Sequence, residues 1–204
     1  MSNERISRIM RSLQESITVE QRLLQDKAFL DLVARVGGEF VKALRAGHKI
    51  ILFGNGGSAA QAQHLAAEFV GRFQLERPPL PAVALTADTS ALTGIGNDYG
   101  YENVFARQVR ALGSEGDIAL GLSTSGKSAN VLKGLGAAKE KGLVTVGFVG
   151  RPGSPLEEHV QYCVSIPTVA TARIQEAHIL IGHILCEIAE AELAPVFEGP
   201  SNAA

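Results

Sequence analysis

The sequence predicts an α/β protein: a three-layer sandwich whose five-stranded parallel sheet carries helices on both faces, preceded by an N-terminal helical arm. Short, nearly continuous apolar runs recur from residue 49 to residue 166, as strands buried on both faces should read. Segments with helical spacing alternate with those runs, and such alternation implies parallel pairing through right-handed crossovers. Glycine supplies a third observation. There are 22 glycines in 204 residues, and a composition that is 46% apolar excludes disorder as their cause.

Taken in order, Ile6, Ile9, Met10, Leu13 and Ile17 predict a first helix near 4–24. Phe29, Leu32, Val33, Val36, Phe40, Val41 and Leu44 predict a second, stopped by Gly47. Strands are expected at 49–53, 82–85, 118–122, 143–149 and 160–166. Helical segments fall at 58–72, 88–96, 101–112, 127–141 and 154–159, and a long last helix at about 171–194. Residues 1–204 read as one domain, with helices over 1–47 and the α/β core and last helix over 48–194. The first helix is amphipathic and lies outside the α/β unit, so its stripe packs either on another subunit or on its own domain.

Composition excludes several classes. A net charge of −2 argues against a nucleic-acid surface. No apolar run is long enough for a transmembrane helix, and Met1 to Glu20 mixes charges as no signal peptide does. Cys163 and Cys186 lie in apolar runs and read as small core residues without a disulfide. A cytoplasmic protein is expected, with neither membrane nor nucleic acid as partner.

Ligands of such sheets bind beyond the carboxyl ends of the strands. Gly54-Asn55-Gly56-Gly57-Ser58 joins a strand to a helix, and its glycines let backbone approach a ligand. It also fits a relaxed dinucleotide fingerprint, but no acidic residue follows at the required spacing. Gly94-Ile95-Gly96-Asn97-Asp98-Tyr99-Gly100 reads as a turn between helices, with Asn97 and Asp98 as polar tips. Ser123-Thr124-Ser125-Gly126-Lys127-Ser128 offers hydroxyls and backbone N–H groups at a helix start, a cradle for one phosphate. Gly121 to Ser128 also spells a P-loop, but later strands end without the carboxylate a nucleotide's Mg²⁺ needs, so an NTPase is the remote alternative.

The helix after the first loop places Gln61, His64, Glu68 and Arg72 on one face, opposite Ala59, Ala62, Leu65, Ala66 and Phe69. That polar face is either a solvated stripe or, beginning at a ligand loop, a place for chelation or proton exchange. On the last helix His178 falls with Ile174, Ile181 and Leu185 and reads as packed. His183 falls with Glu176, Glu187 and Glu190 on the polar side, with Gln175 on a neighbouring face. Spacing does not select His183 over Glu176.

These segments resemble the phosphoheptose isomerases of the sugar isomerase (SIS) fold. The matching stretches are 54–60, 62–68, 89–100, 104–109, 123–126, 128–131, 171–176 and 181–186. The resemblance implies a flavodoxin-like SIS domain. It also implies interconversion of sedoheptulose 7-phosphate and D-glycero-D-manno-heptose 7-phosphate, the first step toward ADP-heptose for lipopolysaccharide core. By it, Glu68 is the general base and His183 the general acid. Ser123, Thr124, Ser125 and Ser128 form the phosphate cradle, while Asn55, Gly56, Gly57, Ser58, Arg72, Asn97, Asp98 and Gln175 touch substrate. Some members hold zinc, and His64, Glu68, Gln175 and His183 match its ligands; no nucleotide or redox cofactor is implied. The family assembles as a homotetramer with sites at subunit interfaces. Relatives usually carry Asn at the position of Lys127.

A competing class is a non-catalytic protein of the same fold that binds the bacterial replication initiator. Residues 72–81 resemble it too. That relative has lost the acid and base, whereas this chain keeps Glu68 and His183.

Overall fold

Five parallel strands form one sheet in the order β2-β1-β3-β4-β5, in a computed structural model that describes residues 2–197. The strands are β1 (Ile50–Gly54), β2 (Ala82–Ala84), β3 (Ile118–Ser123), β4 (Val144–Val149) and β5 (Tyr162–Ser165). Around them lie α1 (Ser2–Gln25), α2 (Lys27–Arg45), α3 (Gly57–Val70), α4 (Thr89–Tyr99), α5 (Val104–Leu112), α6 (Ala129–Glu140) and α7 (Thr171–Phe197). The segment at 154–159 is a 3-10 turn, Pro155–His159, and a second such turn, Tyr101–Asn103, precedes α5.

Three layers follow from the period of two along buried strands. Ile50 and Leu52 point to the core beneath α2, α3 and α7, where Phe40, Leu65, Phe69 and Ile181 pack. Ile51 and Phe53 point the other way, to Phe105, Val109, Val131 and Leu135 of α5 and α6. Burying each such side chain contributes roughly 1.5–3 kcal/mol. Two glycines without an evident role in the sequence gain one here. A Cβ on Gly134 would come within 2.8 Å of Phe53, and one on Gly37 within 2.9 Å of Ile188, so both keep helices close. Nothing in the structure explains Gly38.

The chain runs from β1 to β2 on one side and then crosses back to β3 on the other. Strand order therefore reverses between β1 and β3, and the crevice for a ligand opens beyond their carboxyl ends. Gly54 pairs in register with Leu122, so the first and third loops leave the sheet side by side.

Among the helix boundaries that differ from expectation, two bear on the candidate site. The α3 helix stops at Val70, because Gly71 caps it by donating its N–H to the carbonyl of Ala67. Arg72 therefore leaves the helical face assigned to it, and pairs at 3.7 Å with Glu76 at the surface. Helix α4 runs on to Tyr99, so Gly94 to Tyr99 is helix rather than turn, and only Gly100 (φ +85°) breaks it.

The stripe of α1 is largely uncovered. Met10 is 65% and Leu13 60% exposed, and only Val19 and Leu23 reach the core. Packing of that stripe on its own domain is thus not what the fold does. Helix α1 is held by Val19 and Leu23 and by polar ties to α7: Ser16 donates to Glu176 at 2.8 Å, and Arg173 bonds Ser12. Asp117, at the amino end of β3, accepts from Lys49 and from the backbone of Lys49 and Ser114. Burial raises its carboxyl pKa, but the bonds from Lys49 and Ser114 outweigh that and hold it below its usual value.

Candidate active site

The polar faces of α3 and α7 meet. His64 Nε2 lies 2.9 Å from His183 Nε2, and 3.5 Å from a carboxylate oxygen of Glu68. Gln61 donates to the backbone carbonyl of Gln175 at 2.6 Å, tying the two helices together above the first loop. The Gln175 side chain lies where a Cβ on Gly57 would stand, so glycine there admits the amide to the loop. Gln61 and Glu68 are therefore not a solvated stripe. The opposite face of α3 is buried as expected, through Ala62, Leu65, Ala66 and Phe69.

The imidazole of His183 is held on two sides. Its ring stacks on Phe73 at 5.2 Å and 28°, and meets the ring of His64 edge-on at 5.1 Å and 68°. Burial, then the neighbouring His64, lower the pKa of His183 from its ordinary value, while the charge of Glu68 raises it. Phe73 has no helical or strand period around it, and nothing in the sequence singled it out.

Glu190 is a correction. Spacing put it on the polar side of α7 with His183, yet it is 1% exposed. Its carboxylate accepts Arg77 Nε at 2.9 Å, so the pair lies wholly within the protein. His178 is buried as expected. It donates Nε2–H to the carbonyl of Val149 at 3.0 Å, and burial pushes its pKa down to about 4, so it stays neutral. Glu176 is bound by Arg173 at 2.6 Å and by Ser16 and stands apart from the His64–His183 pair. Glu176 is thus engaged by groups on α1 and α7, whereas His183 meets His64 of α3.

In the first loop, Ser58 is buried and donates its N–H to the carbonyl of Asn55 at 3.0 Å, closing the first turn of α3. Asn55 is held by Asn130: each amide donates to the other's oxygen, at 2.9 and 2.8 Å. Tyr101 adds a bond to Asn55 at 3.3 Å. Asn130 is buried just inside α6. An Asn within a helix start, where it is a poor helix former, was the signal that could have marked it. Asn97 and Asp98 are exposed on the last turn of α4 and bond each other at 2.8 Å. Among the described residues neither side chain bonds the other two loops.

The third loop draws its hydroxyls together. Ser123 and Ser128 face each other at 3.0 Å, and Ser125 Oγ accepts the N–H of Lys127 at 3.2 Å. Gly126 has φ +63°, and any side chain there would run into Ser154. Ser128 is the N-cap residue of α6, so the helix start points at the cradle. A cavity of about 310 Å³ adjoins it, lined by Thr124, Ser125, Lys127, Arg151, Thr168 and Thr171 among others. Lys127 thus adds charge at the mouth of the cradle, together with Arg151.

The donors His64, Glu68, Gln175 and His183 suit zinc in kind, being imidazole nitrogens and carboxylate or amide oxygens. Facing Nε2 atoms show two of them already converging. Among the described residues no three His, Cys, Asp or Glu side chains close into a metal-holding group. Both cysteines are free, and burial pushes their thiols up, Cys163 to about 11 and Cys186 to about 12, so neither offers a thiolate.

A family model described as SIS domain matches residues 18–150. The chain is 52% identical over 179 residues to "Phosphoheptose isomerase 2" of Campylobacter jejuni, covering 88% of this chain and 89% of that one. It is 51% identical over 178 residues to the phosphoheptose isomerase of Aneurinibacillus thermoaerophilus, at 87% and 90% coverage. Among solved structures it is similar to a phosphoheptose isomerase from Neisseria gonorrhoeae, with TM-score 0.84 and 41% identity over 91% of this chain and 98% of that one. A second, from Francisella tularensis, has TM-score 0.86 and 35% identity at the same coverage.

Proposed function

The chain belongs to the SIS domain family, among the phosphoheptose isomerases, and from that premise we propose that it interconverts sedoheptulose 7-phosphate and D-glycero-D-manno-heptose 7-phosphate. It is an intramolecular sugar-phosphate isomerase serving the synthesis of lipopolysaccharide core. The observation that carries the chemical reading is the meeting of His64 with both His183 and Glu68, in a chain whose third loop offers a hydroxyl-lined cavity.

Aldose–ketose isomerisation moves a proton between C1 and C2 through an ene-diol, and needs a base on carbon and an acid on oxygen. The Glu68 carboxylate takes the carbon-bound proton and returns it to the neighbouring carbon. His183 carries protons to and from the two oxygens. Ser123, Thr124, Ser125 and Ser128 hold the phosphate, with the α6 start and Lys127 opposing its charge. Asn55, kept in place by Asn130, meets the sugar hydroxyls, joined by Gln175, Asn97 and Asp98. His64, Glu68, Gln175 and His183 would hold zinc, which would supply Lewis-acid polarisation of the sugar carbonyl.

The assembly proposed is a homotetramer with sites at subunit interfaces, and the exposed stripe of α1 supports a contact between copies of the chain. That stripe continues into an apolar groove lined by Ile17, Leu24, Phe29, Leu30, Leu180 and Ile184, and exposed apolar surface of that extent marks an interface. No described helix is long and apolar enough to cross a membrane, and a cytoplasmic location is the reading that fits. Metal analysis and sedimentation of the purified protein should return zinc at near one per chain and a four-chain particle. A metal-free active enzyme, or a monomer, would remove the corresponding part of the proposal.

The deciding experiment incubates the protein with sedoheptulose 7-phosphate in deuterium oxide. Aldose should appear, with deuterium entering at the exchanging carbon. A chain that leaves the carbon-bound hydrogens untouched is a binding protein rather than an isomerase.

A further inference from the structure

We propose that Phe73 is a positioning residue for the reaction: its ring, anchored by the buried Arg77–Glu190 pair, sets the plane of the His183 imidazole. This rests on the reading of His183 as the acid.

Residues 71–81, between α3 and β2, form neither helix nor strand, so their backbone donors need partners from elsewhere. Glu190 provides them. Its carboxylate accepts the N–H of Phe73 at 2.7 Å, of Gln74 at 2.8 Å and of Leu75 at 3.0 Å, besides Arg77. The Arg77 guanidinium spends its other donors on carbonyls of the same corner. It reaches Glu68 at 2.8 Å, Phe69 at 2.9 Å and Pro78 at 3.1 Å. One buried pair therefore grips the backbone of both Phe73 and Glu68.

The anchor and the acid share a helix face. His183 and Glu190 are seven residues apart on α7, two turns along the same side. A ring fixed by Glu190 is thereby fixed relative to His183. With Phe73 on its face and His64 at its edge, the imidazole has one plane left to it, and its Nε2 points toward His64 Nε2. A proton shuttle between two adjacent oxygens depends on that direction, because small misplacements of a reacting group cost large factors in rate. In the proposed mechanism the third-loop hydroxyls, Asn55, Gln175, Asn97 and Asp98 bind the substrate, whereas the Phe73 ring stacks on His183.

The prediction separates plane from bulk. Phe73→Leu keeps an apolar side chain but no ring, and should lower kcat by roughly ten- to a hundredfold with KM within about twofold. Phe73→Tyr restores the ring and should restore kcat. Ring-current shifts give a reading independent of activity: the carbon-bound ring protons of His183 should lie upfield in the unsubstituted protein and in Phe73→Tyr. An unchanged kcat in a folded Phe73→Leu, a KM that climbs as kcat falls, or unshifted His183 protons in the unsubstituted protein would each overturn the proposal. Should the unsubstituted protein fail to isomerise, the functional reading falls, while the proton shifts still judge the geometry.

Discussion

Glu68→Gln should lower kcat by about 10²–10⁴-fold, the usual contribution of a positioned acid or base, while the protein stays folded. The amide keeps the volume and the hydrogen-bonding oxygen of the carboxylate but has no basic site for a carbon-bound proton. The Glu68 side chain takes no part in the buried pair that ties its backbone: Arg77 bonds its carbonyl, not its carboxylate. Melting temperature should therefore hold while deuterium uptake from solvent disappears. Retention of exchange at a near-normal rate would move the base elsewhere, and His64, 3.5 Å away, would be the next group to test.

Glu190→Ala should destabilise the protein by about 3–5 kcal/mol, as removal of one partner from a buried ion pair does. The substitution leaves the Arg77 guanidinium charged and without its carboxylate, and strands three backbone donors at once. Glu190→Gln should cost less, because an amide oxygen can still accept from that backbone. Urea unfolding measures both, and a loss below about 1 kcal/mol in the alanine variant would show that water or a local shift compensates. Acid supplies a second reading. Burial raises the Glu190 carboxyl pKa, but the N–H groups of residues 73–75 and the Arg77 charge outweigh it and hold the group below its usual value. With the folded-state pKa depressed, the stabilisation is complete above the unfolded value of about 4.3 and is lost as pH falls through the folded one. The gap between the parent protein and Glu190→Ala should thus be full at neutral pH and narrow below about pH 4.

Much of the fold is legible without coordinates. Runs such as Ile50-Ile51-Leu52-Phe53 are apolar at every position because helices cover both faces of the sheet, and the structure buries all four. The periodic apolar set of α2 identifies its buried face, with Val33, Val36, Phe40, Val41 and Leu44. Errors cluster at helix ends, where one residue decides. Gly71 ends α3 before Arg72, and helix continues through Gly94 and Gly96 because α4 is capped at Asp88 and stopped only at Gly100.

The site was legible in part for the same reason. Strand-end position and loop composition mark Gly54 to Ser58 and Ser123 to Ser128, since a parallel sheet presents those ends to ligand. Asn130, Tyr101 and Phe73 escaped because their importance lies in what they touch across 75, 46 and 110 residues of chain.

By itself, then, the sequence determined the layers, the strand-end loops and which side chains share a helix face, because all three are set by spacing along the chain. Only the tertiary structure decided which polar face turns inward. His183 and Glu190 lie on the same side of α7, yet one borders the crevice and the other is sealed against Arg77. Helical period states that two residues are neighbours; whether they meet water, a cation or another imidazole depends on a segment far away in sequence. Here that segment is the irregular turn at 71–81, whose unpaired backbone donors give a buried carboxylate its place.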